Sequence, residues 1–112
     1  MGRASQQKGR RVEIELATIL NRHGYDTRPG VPCSFGSEPD LVGLPGIHAE
    51  LKRREAVDIS AALRQAQEDA EYFGGVPVLF CRGNREAWRV VMGLEDWLQL
   101  YRAYAEKEEN LK

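Results

Sequence analysis

The chain has 112 residues, 42% of them hydrophobic, which is enough for one globular domain with a modest core. Its formal net charge of -1, from 16 basic and 17 acidic residues, excludes a uniformly basic nucleic-acid-binding surface. No apolar run approaches the roughly 20 residues of a membrane-spanning helix, the polar start is unlike a secretory signal, and the two cysteines are too far apart for a CxxC pair. We therefore expect a cytoplasmic protein with reduced thiols and no structural zinc site.

The first predicted element is a helix over residues 5–23, which stops at Gly24, a residue that tolerates positive φ. At about 100° per residue the apolar side chains form one arc, and Glu13 lies inside that arc. A carboxylate on the buried side of a helix needs a partner. The partner is either an arginine or a metal ion, for which Glu13 would be a third acid. Glu15 lies at the edge of the arc, where we expect it to be solvated.

Residues 25–51 are predicted to supply three strands. The segment 25–41 mixes strand-forming residues with glycine and proline, which is typical of a strand, a loop and the start of a second strand. The glycines would let this loop approach a phosphate backbone closely. Residues 41–42 and 47–51 are predicted to form a hairpin.

The register of this hairpin decides which side chains meet. A register centred on Pro45 places Asp40 opposite Glu50 on the same face. A four-residue loop would instead pair Asp40 with Ala49 and turn Asp40 to the other face, unless a bulge corrected it. Because residues two apart in a strand share a face, Glu50 and Lys52 point together.

Asp40, Glu50 and Lys52 form a grouping that suits metal-assisted hydrolysis of a phosphodiester. Two neighbouring carboxylates repel each other unless a divalent cation or a proton relieves the repulsion, and oxygen ligands suit Mg²⁺. The lysine adds a positive charge where a nucleophile or a phosphate would lie. His48 shares this face and could touch a substrate, although a lone strand histidine is usually structural or faces solvent.

The second half of the chain is predicted as a helix, two strands and a helix. Asp58 can cap a helix over residues 59–73, whose buried face is rich in alanine and carries Gln65 at its edge. Residues 76–81 form a near-continuous apolar run, as expected for a buried central strand, and residues 87–92 supply another strand.

The last predicted element is an amphipathic helix that starts near Leu94. Its apolar side chains recur at helical spacing and are Leu94, Trp97, Leu98, Tyr101 and Ala105. We expect this stripe to seal the core, and we expect residues 106–112 to fray.

Several segments together resemble a known family. Pro39-Asp40 followed after nine residues by Glu50-x-Lys52 resembles the PD-(D/E)xK nuclease motif. Further segments resemble the archaeal-type Holliday junction resolvases and their phage-like relatives, and the resemblance spans roughly residues 8–104. These segments are Lys8-Gly9-x-x-x-Glu13-x-Glu15-Leu16, Gly24-Tyr25-Asp26-Thr27-Arg28, and Phe73-Gly74-Gly75-Val76-Pro77-Val78-Leu79 followed by Trp88.

The resemblance implies an α/β fold, a restriction-endonuclease-like mixed sheet flanked by helices in the order α-β-β-β-α-β-β-α. A single nuclease domain would cover residues 1–112. The implied activity is that of a Mg²⁺-dependent, structure-specific DNA endonuclease, a Holliday junction resolvase, in which Mn²⁺ substitutes for Mg²⁺. It would act as a homodimer on four-way junctions and other branched DNA, in the cytoplasm of a bacterial, archaeal or phage-infected cell. Spare apolar candidates for the dimer contact are Tyr72, Trp88 and Tyr104.

The resemblance also implies roles for single residues. The catalytic set is Glu13, Asp40, Glu50 and Lys52, with the three acids as metal ligands. The substrate-binding candidates are Arg10, Arg28, Ser34 and Gln65. Arg28 stands where the archaeal enzymes carry a functional arginine, Gln65 is similar to a glutamine of the phage-like relatives, and Ser37 competes with Ser34 as the loop hydroxyl. For the serine, a turn residue bonding its own backbone is an explanation at least as good, and for Gln65 a surface glutamine is the default. Arg10 is a candidate from its position one turn before Glu13, and Ile14 departs from the arginine common in the archaeal enzymes.

Charge is distributed unevenly, which is compatible with binding DNA on one face. Residues 1–28 carry six basic and three acidic side chains, whereas residues 95–112 carry five acidic and three basic ones. Three hypotheses compete with the resolvase: a nuclease-fold module that binds DNA without cutting it, a PD-(D/E)xK nuclease acting on other DNA structures, and a small interaction protein whose acidic cluster is a solvated face.

Overall fold

In the computed structural model, residues 2–33, 36–37 and 39–110 are described, and for residues 2–9, 32–33 and 36–37 the backbone alone. These residues form three helices, which are α1 (Gly2–Arg22), α2 (Ile59–Phe73) and α3 (Leu94–Asn110). The strands are β1 (Arg28–Pro29), β2 (Pro32–Cys33), β3 (Gly36–Ser37), β4 (Leu41–Val42), β5 (Ile47–Arg53), β6 (Val76–Arg82) and β7 (Arg89–Val91). In this described part of the chain, no helix is both long and apolar enough to span a membrane.

Five of the strands form one mixed sheet in the order β1-β4-β5-β6-β7. β5 and β6 run parallel and are connected through α2, whereas the other neighbours in the sheet are antiparallel. The prediction of a mixed sheet flanked by helices is confirmed. β2 and β3 form a separate antiparallel pair within the segment predicted as a loop. Two-residue strands are too short to show the alternation by which strands are predicted.

The core lies on both faces of the two parallel strands, because their side chains alternate between the faces. α1 packs on one face, where the buried residues are Leu16, Ala17, Leu41, Ala49, Leu51, Val78 and Phe80. α2 packs on the other face, where the buried cluster is Ala62, Leu79 and Cys81. The intervening β5 residues His48, Glu50 and Lys52 therefore lie on the α2 face.

α2 has the predicted bounds and the predicted cap. The Asp58 side chain accepts a hydrogen bond from the Ala61 amide at 3.0 Å, which satisfies one of the free N–H groups of the first turn. Its buried residues Ala62, Ala66 and Ala70 are small, so the helix backbone lies close to the sheet. This proximity brings the polar edge of α2 near the β5 side chains.

The β4–β5 hairpin has the register that brings Asp40 to Glu50. Leu41 pairs with Ala49, so of the two registers considered the hairpin has the one centred on Pro45. The Asp40 amide also donates to the Ala49 carbonyl oxygen at 2.9 Å, so Asp40 and Leu41 both lie opposite Ala49, as in a β-bulge. The hydrogen bond between the carboxyl groups of Asp40 and Glu50 shows that the two side chains share a face.

Two local features hold the turn and the segment that follows α1. Gly43 has φ +113, and a Cβ there would collide with the carbonyl oxygen of Asp26, so the turn requires glycine. The buried Thr27 donates its amide to Asn21 Oδ1 at 2.7 Å, while Asn21 Nδ2 donates to the Thr27 carbonyl oxygen at 3.1 Å. These bonds tie the end of α1 to the start of the sheet.

The expectation that α3 seals the core is wrong. No residue of α3 is buried, and its apolar side chains are exposed: Leu94 by 68%, Trp97 by 46%, Tyr101 by 50% and Tyr104 by 59%. The Trp97 and Tyr101 rings stack on each other at 5.1 Å between centroids. The helix is regular to Asn110 and so includes residues 106–110 of the segment expected to fray. Helical periodicity shows that one face is apolar, but it does not show what covers that face.

Candidate active site

Asp40 and Glu50 meet where β4 pairs with β5. Asp40 Oδ2 accepts a hydrogen bond from the Leu51 amide at 2.8 Å, which fixes the carboxylate against the strand. Glu50 is buried, and its pKa rises to about 8 because of burial first, then the Asp40 charge and the hydrogen bond between the two carboxyl groups. Without a cation, the pair therefore holds a proton near neutral pH.

Lys52 lies on the same strand face as Glu50. Its Nζ is 3.8 Å from Glu50 Oε1, and its positive charge opposes the rise of the Glu50 pKa. Lys52 also lines a pocket of about 230 Å³ together with Arg54, Asp58 and Gln65. Lys52 thus borders both Glu50 and this pocket.

Glu13 reaches the same site from α1. It is half-buried, and its pKa rises to about 7 because of burial first and the Asp40 charge second, while Arg10 acts in the opposite direction. The charges of both Arg10 and Asp40 therefore act on Glu13. The structure brings Asp40, Glu50 and Lys52 together, and Glu13 lies on the Asp40 side of this group.

The substrate-binding candidates have separate environments. Arg28 is exposed in β1, pairs with Val42 of β4, and donates from Nη1 to the Pro29 carbonyl oxygen at 2.9 Å. Gln65 is exposed on α2 beside Lys52 in the pocket, and its Nε2 donates to Asp69 Oδ1 at 3.1 Å. Arg10 is exposed. Ser34 lies outside the described residues, and of its rival Ser37 the backbone alone is described.

Two further polar residues border Glu50. His48 is 1% exposed, so it is a buried residue and not a solvent-facing one. Ligand atoms of His48, Glu50 and Asp69 all lie within 4.8 Å of one another. Asp69 was not among the predicted site residues, although its place four residues after Gln65 on α2 was an available signal.

Glu15 is partly exposed, as expected at the edge of the arc, but its carboxylate also forms ion pairs that the sequence did not predict. Its Oε1 is 2.7 Å from Arg82 Nη2 and its Oε2 is 4.0 Å from Arg53 Nε. The Arg82 guanidinium also lies over the Trp88 ring at 5.6 Å from the centroid. The helical pattern around Glu15 contains no sign of these arginines, because they come from the ends of β5 and β6.

No protein-family model and no curated protein matches the chain. Among solved structures, it is similar to Hjc from Archaeoglobus fulgidus, a Holliday junction resolvase from an archaeal hyperthermophile. The identity is 27% and the TM-score is 0.55, over 76% of this chain and 72% of that chain. The chain has the PD-(D/E)xK nuclease fold. The restriction-endonuclease-like fold predicted from the motif is confirmed, and the similarity indicates a resolvase-like nuclease.

For this nuclease fold, we expect stability without divalent ions to fall as pH rises from 6.5 to 8. Burial raises the pKa of Glu13 to about 7 and that of Glu50 to about 8, from an ordinary value of 4.5, so the folded state holds more protons in this window. Burial lowers the pKa of His48 from 6.5, so this residue opposes the fall, and its effect fades above about pH 7.5, where the unfolded histidine is neutral as well. Melting temperatures in EDTA would measure the fall.

The matched measurements are the same melts with Mg²⁺ and with Glu50→Gln. Both should make the melting temperature depend less on pH. A bound cation neutralises the carboxylate charge that becomes unfavourable as pH rises, and the glutamine amide of the variant carries no charge. A melting temperature in EDTA that rises steadily from pH 6.5 to 8 would contradict the carboxylate assignment.

Glu13→Gln should lower cleavage by ~10–100-fold, in the range for groups that tune a metal site, with little change in melting temperature. The reason is that the amide keeps the size of the side chain but no longer offers a carboxylate to a cation. Cleavage rate and melting temperature would be measured on the same preparation.

Glu15→Gln is the matched control on the same helix. It removes the ion pair with the largely buried Arg82, so we expect the melting temperature to fall while the cleavage rate per folded molecule persists. If Glu13→Gln instead lowers stability and activity in proportion, then Glu13 is an ion-pair partner and not part of the metal site.

Proposed function

We propose that the chain is a Mg²⁺-dependent DNA endonuclease that cuts four-way junctions, with Mn²⁺ as a substitute ion. The observation that carries the proposal is the meeting of Asp40, Glu50 and Lys52 at one point of a sheet whose fold is similar to that of a Holliday junction resolvase. A surface that only binds DNA gains nothing from acids facing phosphates. This arrangement therefore favours cleavage over binding alone.

The donor set fits a hard divalent cation. Asp40 and Glu50 offer carboxylate oxygens, and Glu13 can join directly or through a water molecule. Burial first and the Asp40 charge second raise the pKa of Glu50, and a bound cation would relieve the repulsion between the two carboxylates. When bound, such an ion polarises a phosphate oxygen and lowers the pKa of its water. The Leu51 amide holds Asp40 in place. Lys52 can orient the attacking water or donate to the negative charge that develops on the phosphate.

Substrate contacts are proposed for the residues around these acids. Arg10 lies near Glu13, and Arg28 lies in the strand beside β4, so both can meet phosphates on one side of the site. Gln65 shares the pocket with Lys52 and can position a water or a phosphate there. Ser34 is proposed as the loop hydroxyl, with Ser37 as the alternative.

We expect the working unit to be a homodimer, because two strands of like polarity must be cut at positions related by a two-fold axis. The exposed apolar side of α3 supports this proposal, since such a surface is typical of an interface.

The test is one cleavage assay on a four-way junction, a fork and a plain duplex, each with Mg²⁺ and with EDTA. We expect Mg²⁺-dependent paired cuts in the junction, slower cutting of the fork and the slowest cutting of the duplex. Equal cutting of all three would identify a nuclease that acts on other DNA structures. Binding without cutting would identify a DNA-binding module, and neither binding nor cutting would identify an interaction protein.

A further inference from the structure

His48, Glu50 and Asp69 form a group of possible metal ligands on the α2 side of Glu50. Their ligand atoms lie within 4.8 Å of one another. Glu50 thus has two sets of neighbours, with Asp40 on one side and His48 and Asp69 on the other. His48 and Asp69 play no part in the cleavage mechanism proposed above.

The burial and hydrogen bonding of the His48 ring indicate that this group binds a ligand. The residue is 1% exposed, and its Nδ1 is enclosed without a hydrogen-bond partner among the described residues. A buried ring nitrogen without a partner is unfavourable, so a histidine kept there needs an occupant to bind.

Neighbouring residues hold two of the three ligands in place. The Phe73 ring stacks on His48 with 6.3 Å between centroids and 27° between planes. Gln65 Nε2 donates to Asp69 Oδ1 at 3.1 Å, which leaves the other oxygen of that carboxylate for an ion. Such supporting contacts around ligands are what orient them in metal sites.

The ligand chemistry identifies the class of ion. One imidazole with two carboxylates suits Zn²⁺, Co²⁺ or Mn²⁺, whereas Mg²⁺ prefers oxygen ligands alone. Ligand atoms bound at about 2.1 Å to one tetrahedral ion lie about 3.4 Å apart. The ligand atoms of the three side chains lie within 4.8 Å of one another, so they need to close by about 1.4 Å at most, and rotation of the half-buried Asp69 side chain can supply part of this movement.

We propose that His48, Glu50 and Asp69 bind a second divalent ion of the transition-metal class, with Glu50 shared between this ion and the one held by Asp40. Paired ions that share a carboxylate lie about 3.5–4 Å apart in two-metal sites. The proposal concerns metal binding, which can be measured whether or not the chain cuts DNA.

The experiment counts Co²⁺ ions bound to the full chain by equilibrium dialysis and records the visible absorption of bound Co²⁺. The unmodified chain should bind two ions. Asp69→Asn and His48→Ala should each bind one, with the affinity of the lost site reduced by on the order of 100-fold or more. Asp40→Asn should also bind one, and Zn²⁺ should displace that ion.

Asp69→Asn is the decisive variant, because it changes a half-buried helix residue with little risk to folding. His48→Ala is less decisive, because it leaves a cavity. Glu68→Gln, on the exposed neighbour of Asp69, is the matched control and should bind two ions. One ion bound by the unmodified chain and none by Asp40→Asn would overturn the second site. So would two ions bound by Asp69→Asn.

Metal counting and cleavage separate this inference from the proposed function. Loss of a Co²⁺ ion in Asp69→Asn supports the second site even if no DNA is cut. Mg²⁺-dependent cleavage together with an unchanged Co²⁺ count in Asp69→Asn would retain the nuclease and refute the second site.

Discussion

Asp40→Asn, Glu50→Gln and Lys52→Ala should each reduce Mg²⁺-dependent cleavage by at least ~10²–10³-fold, the usual effect of losing one preorganised charge contact. The fold should persist, because each change removes a charge and leaves the surrounding packing in place. Removing an acid also removes repulsion from phosphate, so junction binding should be kept or strengthened in the two acid-to-amide variants. Cleavage rates, junction affinity and melting temperature would be measured together.

Glu55→Gln is the matched control, because Glu55 is an exposed acid on the loop that follows β5. It should cut at the unmodified rate. Undiminished Mg²⁺-dependent cleavage by Glu50→Gln would refute the site assignment, whatever the substrate.

The second large effect is expected from Tyr101→Glu, which should convert a dimer to a monomer and abolish paired cutting of a four-way junction. Tyr101 is half-exposed on α3 and stacks with Trp97, so a charge there would disrupt an apolar contact between two copies. Sedimentation would report the mass, and a cruciform plasmid would distinguish paired cuts from single nicks. Affinity of the dimer for the junction should also fall by about 10³-fold or more between about 50 and 200 mM salt, if six or more phosphates are contacted.

Tyr72→Glu is the control, since Tyr72 is an exposed aromatic residue on α2 and packs edge-on against Phe73. It should leave the dimer intact. Dissociation by Tyr72→Glu and not by Tyr101→Glu would move the interface to α2. A monomer that cuts junction and duplex equally would refute the resolvase proposal itself.

Local patterns were sufficient to predict much of the fold and the centre of the site. The bounds of α2 follow from Asp58 and from the helical spacing of its alanines, both of which are local signals. The alternation of strand faces reduced the hairpin to two registers, and the pairing of Leu41 with Ala49 decides between them. Glu13 could be assigned to the buried side of α1 because an acid inside an apolar arc departs from the pattern.

Contacts between distant segments could not be predicted in this way. Glu15 pairs with Arg82, which lies on β6 and leaves no trace in the local pattern of α1. His48 and Asp69 are neighbours because α2 packs closely on β5, and the closeness of that packing is a tertiary property. The exposure of α3 has the same origin, since amphipathicity does not specify the partner of an apolar face.

β5 is held more firmly by β6 than by β4, so the length of the β4–β5 turn controls whether Asp40 and Glu50 stay together. β5 pairs with β6 along its whole length, from Ile47 with Val76 to Arg53 with Arg82, whereas its pairing with β4 is short. A one-residue deletion between Gly43 and Gly46 would therefore shift β4 along β5, while β5 kept its pairing with β6. Glu50 would keep its place while Asp40 slipped to the opposite face. A single lost residue in an exposed turn could thus separate the carboxylates without unfolding the sheet.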